Sequence, residues 1–254
     1  MTRLVMAEFR KLFTTRMWWW ILLISVAWTV LYTSIAIALN KHPGQLVPSL
    51  AGAAGQHALF STAAGIAGTL VAVMATAAVA GEYRHRTAVA TFLATPDRRR
   101  VVVAQVITFL LAGIGYALAC VLVNLAVAVP WLAARGIRLS AFGDGNFAVL
   151  ASIVLAAVFF GTIGAGIGAT LHSQLATVAA MLLYLYVLEP LLSHIAALSS
   201  WTPYLPGVAA DSLTQDIQNG VRLLAPWAGG LVLAAWAIAF VIAGVMITER
   251  TDIT

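Results

Sequence analysis

Charge is scarce in this chain: charged residues make up 9% of the 254 residues, while apolar residues make up 62%. Ordinary soluble domains contain about 25% charged and roughly 45–50% apolar residues. Several apolar runs also exceed the ~20 residues that a helix needs to cross the hydrocarbon core of a bilayer. The composition therefore argues against an ordinary soluble domain and predicts an all-α polytopic membrane protein.

Residues that carry catalysis or bind metals are scarce as well. The single cysteine, Cys120, lies in an apolar run, which excludes a disulfide framework and a cysteine-based metal site. Neither of the two lysines, Lys11 and Lys41, follows a glycine, so the chain has no Walker A loop for phosphate binding. It also lacks an HExxH zinc pair and a GxSxG nucleophile elbow. We therefore expect no enzymatic activity, metal site or bound cofactor on this chain.

The formal net charge is +5, and this excess does not indicate nucleic-acid binding. A nucleic-acid-binding domain clusters basic residues on a folded soluble face, and the apolar pattern leaves no room for such a domain. Cytoplasmic loops of membrane proteins, in contrast, carry an excess of Lys and Arg. We expect membrane lipid, and no nucleic acid, as a partner.

Six apolar runs predict six transmembrane helices in a single transmembrane domain that covers residues 1–254, with spans at 17–39, 57–80, 101–132, 147–171, 175–198 and 226–248. The sequence Thr95-Pro96-Asp97 has the residues of a helix start, with a hydroxyl cap, proline at the first position and an acid in the first turn. Glu189-Pro190 predicts a break in the fifth helix. Residues 199–225 form an external helical segment, in which we expect a short amphipathic helix at 211–224.

Residues 1–16 precede the first span and have the pattern of a helix that lies flat at the membrane surface. Val5, Phe9, Leu12 and Phe13 share one face of a helical wheel. Charged side chains occupy the other faces, as is typical of an interfacial amphipathic helix; they are Arg3, Glu8, Arg10 and Lys11.

The distribution of Lys and Arg predicts the orientation. Six spans place both termini on one side, and that side carries four basic residues before the first span, five in residues 81–100 and one in the tail. These ten compare with four in the external segments, namely Lys41, Arg135, Arg138 and Arg222. Because positive charge accumulates on the inner side, both termini are predicted to be cytoplasmic.

Residues 81–100 form a cytoplasmic loop that is more than a topology signal. Val89, Phe92 and Leu93 recur at helical spacing, which predicts a short amphipathic helix between Thr87 and Thr95. A cationic helix at the inner membrane surface is suited to docking a soluble partner, although it also lies close to anionic lipid.

Two features inside the spans have alternative interpretations. Gly161, Gly164 and Gly168 allow close helix approach, either within the chain or between subunits. Glu189 is an acid within a span, which is typical of a substrate or ion path, although a helix end near external water would also explain it. Asn124, Tyr184 and Tyr186 either line a cavity on the same path or form hydrogen bonds between helices.

Three segments in this order resemble an ABC type-2 transporter permease, the membrane subunit of a bacterial ATP-binding-cassette exporter. An amphipathic N-terminal helix carries an E-x-x-K-L core, here Glu8 to Leu12, and leads through Thr15-Arg16 into the first span. The loop after the second span opens with Gly81-Glu82 and closes with Pro96-Asp97-Arg98. A long helical segment, residues 199–225, separates the last two spans.

The resemblance implies a protein of the bacterial plasma membrane that pairs with a second permease subunit, in a homodimer or heterodimer, and with a separate ATPase that holds ATP and Mg²⁺. The loop would supply a coupling helix to the ATPase through Glu82, Arg84, Arg86, Thr87, Phe92, Leu93 and Pro96. The interfacial helix would make further contacts through Glu8, Phe9, Lys11 and Leu12. Two other functions stay open: an ion-gradient-driven transporter that uses Glu189, and a membrane anchor without transport activity.

Overall fold

A computed structural model describes residues 1–40, 48–84, 97–139, 143, 145–170, 173–215 and 223–250. Within these ranges the chain is helical and has no strand. Six helices are long and apolar enough to cross a membrane. The predicted all-helical, six-span class is thus confirmed, and the protein is a multi-pass membrane protein.

The helix bounds follow the apolar runs closely. The first helix is α1 (Thr2–Thr14), and α2 (Met17–Leu39) coincides with the predicted first span. The remaining spans with regular α-helical geometry are α3 (Ala53–Arg84), α4 (Arg98–Ala134), α5 (Asn146–Thr170) and α9 (Pro226–Arg250). Both α3 and α4 are longer than predicted, so they extend into the segment that was assigned to the loop at 81–100.

The predicted start of the third span was wrong in detail. Asp97, which was expected in the first turn, is instead the N-cap of α4. Its Oδ1 accepts a hydrogen bond of 3.2 Å from the backbone N–H of Arg100. A carboxylate at this position satisfies one of the free amide groups of the first turn, which explains why the helix begins at Arg98.

The fifth span does not break at Pro190, contrary to the prediction. It runs through α6 (Gln174–Leu183), a π-helical turn (Tyr184–Leu188) and α7 (Glu189–Ser193). Proline has no N–H, and its ring collides with the carbonyl four residues earlier in a regular α-helix. The wider π-turn, in which the Glu189 N–H bonds to the Tyr184 carbonyl, carries the helix past this proline.

The segment at 199–225, which was predicted to be external, also differs from the prediction. Its helix, α8, spans Pro206–Thr214 rather than 211–224, and residues 216–222 lie outside the described ranges. Proline at its first position has the backbone angle that a helix start requires. The left-handed Gln215, with φ of 58°, ends it. Most of α8 is buried, so it is an inserted helix that packs into the bundle rather than an amphipathic surface helix.

Helix α5 lies at the centre of the bundle and packs against α3, α4 and α9. The three glycines that were predicted to permit close approach face other helices of the same chain. A Cβ at Gly161 would lie 2.5 Å from the Phe109 carbonyl oxygen of α4. A Cβ at Gly164 would collide with the Ala72 backbone of α3, and one at Gly168 would lie 2.9 Å from the Thr76 carbonyl oxygen. These glycines allow the backbones of α3, α4 and α5 to approach within the chain.

Several contacts define one end of the bundle, which we call the arginine-rich end. Lys11 of α1 lies 3.0 Å from Glu82 near the end of α3. The guanidinium of Arg98 at the start of α4 donates a 3.0 Å hydrogen bond to the Thr248 carbonyl near the end of α9. Gly81 packs near the Gln174 side chain at the start of α6. The first and last described helices therefore meet at the same end.

Candidate functional site

At the arginine-rich end, α1 is fixed to the bundle by a buried edge. Leu12 is buried in the same core cluster as Val79 and Val102. Glu8, which the helical wheel placed among the solvent-facing charges, is in fact only 8% exposed. At the turn into α2, Phe13 packs edge-on against Trp18 with 5.1 Å between ring centroids. The buried residues of α1 are thus Glu8 and Leu12, and its other side chains are half-buried or exposed.

The burial of Glu8 is explained by a three-residue ionic cluster. Lys11 Nζ lies 2.6 Å from Glu8 Oε1 and 3.0 Å from Glu82 Oε1. A buried carboxylate is strongly disfavoured unless it is paired and hydrogen-bonded. One lysine therefore holds a carboxylate of α1 and a carboxylate of α3 together. We call Glu8, Lys11 and Glu82 the carboxylate–lysine cluster.

The surroundings of this cluster raise the pKa of both Glu8 and Lys11. Burial and, after it, the negative charge of Glu82 raise the pKa of Glu8, the ammonium of Lys11 opposes both, and the net pKa is about 7. For Lys11, burial alone would lower the pKa, but the two carboxylates outweigh it and the pKa is raised overall. Glu8 is therefore the member of the cluster that changes charge near pH 7, while Lys11 stays protonated.

Of the seven residues predicted to couple to an ATPase, Glu82 and Arg84 lie within the described ranges. Arg86, Thr87, Phe92, Leu93 and Pro96 lie outside the described residues, as does the predicted amphipathic helix at 87–95. Arg84 is the last residue of α3. Glu82 is the member of the predicted set whose side-chain contacts are described, and they join it to the two charged residues of α1.

A second site lies in the half of the bundle away from the arginine-rich end. An open cavity of about 610 Å³ is lined by residues of α2, α3, α5, the π-turn, α7 and α8. Its lining includes Trp28, Thr69, Phe160, Tyr186, Glu189 and Asp211. Sequence reasoning identified Glu189 and Tyr186 among these. The others are single polar or aromatic residues on separate helices, and no local pattern connects them.

Glu189 is buried, with 3% of its surface exposed, so the prediction of a helix end near external water was wrong. Its Oε1 accepts a 2.8 Å hydrogen bond from the backbone N–H of Val208 in the first turn of α8. Gly207 makes this approach possible, because a Cβ there would lie 2.7 Å from Oε1. Glu189 Oε2 has no hydrogen-bond partner among the described residues.

The residues that line this cavity do not include Asn124 or Tyr184. Asn124 is buried, and its Nδ2 donates a 3.3 Å hydrogen bond to Thr33 Oγ1 on α2. It therefore forms the hydrogen bond between helices that was its alternative interpretation. Tyr184 lies half-buried in the π-turn, whereas Tyr186, two residues later, contributes to the cavity lining.

Over the described part of the chain, no group of three or more His, Cys, Asp or Glu residues is arranged to hold a metal ion. No protein-family model matches the chain, and no curated protein matches it at a significant level. The two sites are thus characterised by their own geometry.

Proposed function

We propose that this chain is the permease subunit of an ATP-binding-cassette exporter of the bacterial plasma membrane, driven by a separate ATPase subunit. Two such subunits, identical or related, would form the substrate path, and the arginine-rich end would face the cytoplasm. The observation that carries the proposal is the contact of Lys11 with both Glu8 and Glu82. It joins α1 to the helix that leads into the arginine-containing loop, and the resemblance assigns both elements to the ATPase contact.

Helix α3 connects the carboxylate–lysine cluster to the cavity. Glu82, near its end, belongs to the carboxylate–lysine cluster, and Thr69, thirteen residues earlier on the same helix, lines the cavity. At 1.5 Å per residue the two positions are about 20 Å apart along the axis. A force applied to the loop by an ATPase would therefore reach the cavity through a continuous helix that packs closely against α5.

The test is co-purification and transport with a candidate ATPase subunit. The triple substitution Arg84→Ala, Phe92→Ala and Leu93→Ala should abolish complex formation and ATP-dependent transport, because it removes the charge and the apolar stripe of the predicted coupling helix. Arg138→Ala, a change of charge at the opposite end, should leave both intact. If the triple variant still binds the ATPase and still transports with ATP, the coupling assignment is wrong.

A second candidate function is an ion-gradient-driven transporter. The observation that favours it is the buried Glu189, because an acid inside a span is a common element of ion and proton paths. This candidate predicts transport by the purified chain in vesicles under an ion gradient, without ATP or a partner, and loss of that transport in Glu189→Gln. The exporter proposal predicts no such transport by the chain alone.

A further inference from the structure

The carboxylate of Glu189 is incompletely paired for its position. One oxygen accepts a hydrogen bond from the Val208 amide, and the other has no partner among the described residues. Removing an ionised carboxylate from water is strongly unfavourable unless an opposite charge or several hydrogen bonds replace the lost hydration. The amides of Gly207 and Val208 at the start of α8 do not complete this replacement, because neither carries a full positive charge. A positively charged ligand in the adjoining cavity would supply the missing opposite charge.

The charge of the cavity wall has the matching sign. Two acids, Glu189 and Asp211, and the imidazole of His194 line the cavity, and no Lys or Arg does so among the residues the structure describes. A cleft that carries charge of one sign between low-dielectric walls concentrates ligands of the opposite sign. The first amides of α8, which would otherwise favour an anion, face the Glu189 carboxylate instead.

The remaining wall suits the body of an organic cation rather than a bare ion. Trp28, Phe160 and Tyr186 contribute aromatic rings, on three separate helical segments. Aromatic faces attract organic cations through their quadrupoles, and the attraction is stronger where water is excluded. The volume of about 610 Å³ lies within the roughly 300–1,000 Å³ that is typical of small-molecule sites.

From these three observations we infer that the cavity is a binding site for organic cations with an apolar or aromatic body, and that Glu189 is its charge-recognising residue. As the substrate class of the exporter, this assignment rests on the proposed function. As a binding property of the isolated chain, it does not.

Glu189 also has a structural role, because it fixes the start of α8 against α7. The substitution Glu189→Gln separates the two roles: the glutamine oxygen still accepts the Val208 N–H, while the negative charge is lost. The matched control is Glu249→Gln, the same chemical change at an exposed position near the end of α9. It lies at the arginine-rich end, away from the cavity.

The experiment titrates ethidium, an aromatic cation of fixed charge, into the purified full-length chain in detergent and follows its fluorescence. The wild type and Glu249→Gln should bind ethidium saturably with the same affinity, and Glu189→Gln should bind at least tenfold more weakly while eluting as a folded species. Absence of saturable binding to the wild type, or equal affinity in Glu189→Gln, would overturn the inference.

A second measurement keeps the test decisive if Glu189→Gln fails to fold. The compound 3,8-diamino-6-phenylphenanthridine, which keeps the rings and amino groups of ethidium but lacks the N-ethyl group and therefore the fixed charge, is titrated at alkaline pH into the wild type in competition with ethidium. The inference requires at least tenfold preference for the cation. Equal binding of the two, or preference for the neutral ring, would show an apolar cavity without charge recognition.

Failure of this inference and failure of the proposed function give different results. Binding is measured on the chain alone, so it is independent of any ATPase. Charge-selective binding without ATPase-dependent transport would retain the cation site and reject the exporter. ATP-dependent transport of a neutral or anionic compound, combined with no ethidium binding, would do the reverse.

Discussion

Replacing Gly161 with alanine tests the helix packing on which both candidate sites depend. Gly161 lies at the centre of α5, where this helix crosses α4 and approaches α3. The new methyl group would lie 2.5 Å from the Phe109 carbonyl oxygen and 3.0 Å from Val71 Cγ1, whereas ordinary van der Waals contacts are 3.4–4 Å. Phe109 and Val71 are both buried in the same core cluster, so neither moves freely out of the way.

The expected loss of stability follows from two opposing effects. Overpacking a closely packed core by one methyl group typically costs about 1–3 kcal/mol. Alanine is favoured over glycine within a helix by roughly 0.5–1 kcal/mol, which offsets part of this cost. We therefore expect Gly161→Ala to lower the free energy of unfolding by about 1–2 kcal/mol. For a chain of this size, each kcal/mol lowers the Tm by about 2–4 °C.

The measurement is thermal unfolding in detergent, followed by the loss of the monodisperse peak after heating. The matched control is Gly115→Ala on α4, because Gly115 is exposed and a Cβ there meets no atom within 4 Å. The control should keep or slightly raise the wild-type Tm. If Gly161→Ala is as stable as Gly115→Ala, the close contact between α4 and α5 is not a property of the folded protein.

Two further predictions concern buried polar residues. The stabilisation that protonated Glu8 gives is fully present below pH 4.5 and is lost as the pH rises through about 7, because burial, and then the charge of Glu82, raises its pKa. Trypsin should therefore cut at Lys11 faster at pH 8.5 than at pH 6 in the wild type, relative to Glu8→Gln measured at each pH; an equal ratio at both would contradict the assignment. Asn124→Leu should keep ethidium affinity within about twofold, because neither Asn124 nor its partner Thr33 lines the cavity, and leaving the buried Thr33 hydroxyl without this donor should lower stability rather than affinity. A tenfold loss of affinity would place Asn124 on the ligand path.

Local sequence patterns were sufficient for the membrane class and for most helix bounds. A run of apolar residues long enough to span the bilayer becomes a helix because no water is present to satisfy an open backbone. This is why α2 begins and ends where its apolar run does. The exceptions arose where one side chain changed the local backbone: Asp97 caps α4, and the π-turn carries the fifth span past Pro190.

The two candidate sites, in contrast, depend on tertiary contacts. The spans are apolar on every side, so a helical wheel does not distinguish the face that meets lipid from the face that meets another helix. Nothing in the segment around Gly161 indicates that Phe109 lies against it, and nothing near Glu189 indicates that the first turn of α8 reaches it from nineteen residues away. The burial of Glu8 was missed for the same reason, because Glu82, which shares Lys11 with Glu8, lies 74 residues later in the chain. The sequence by itself determined which segments cross the membrane, since crossing depends on the composition of one segment. Only the folded bundle decided which side chains meet, since residues that are far apart in the chain form the cavity and the ion cluster.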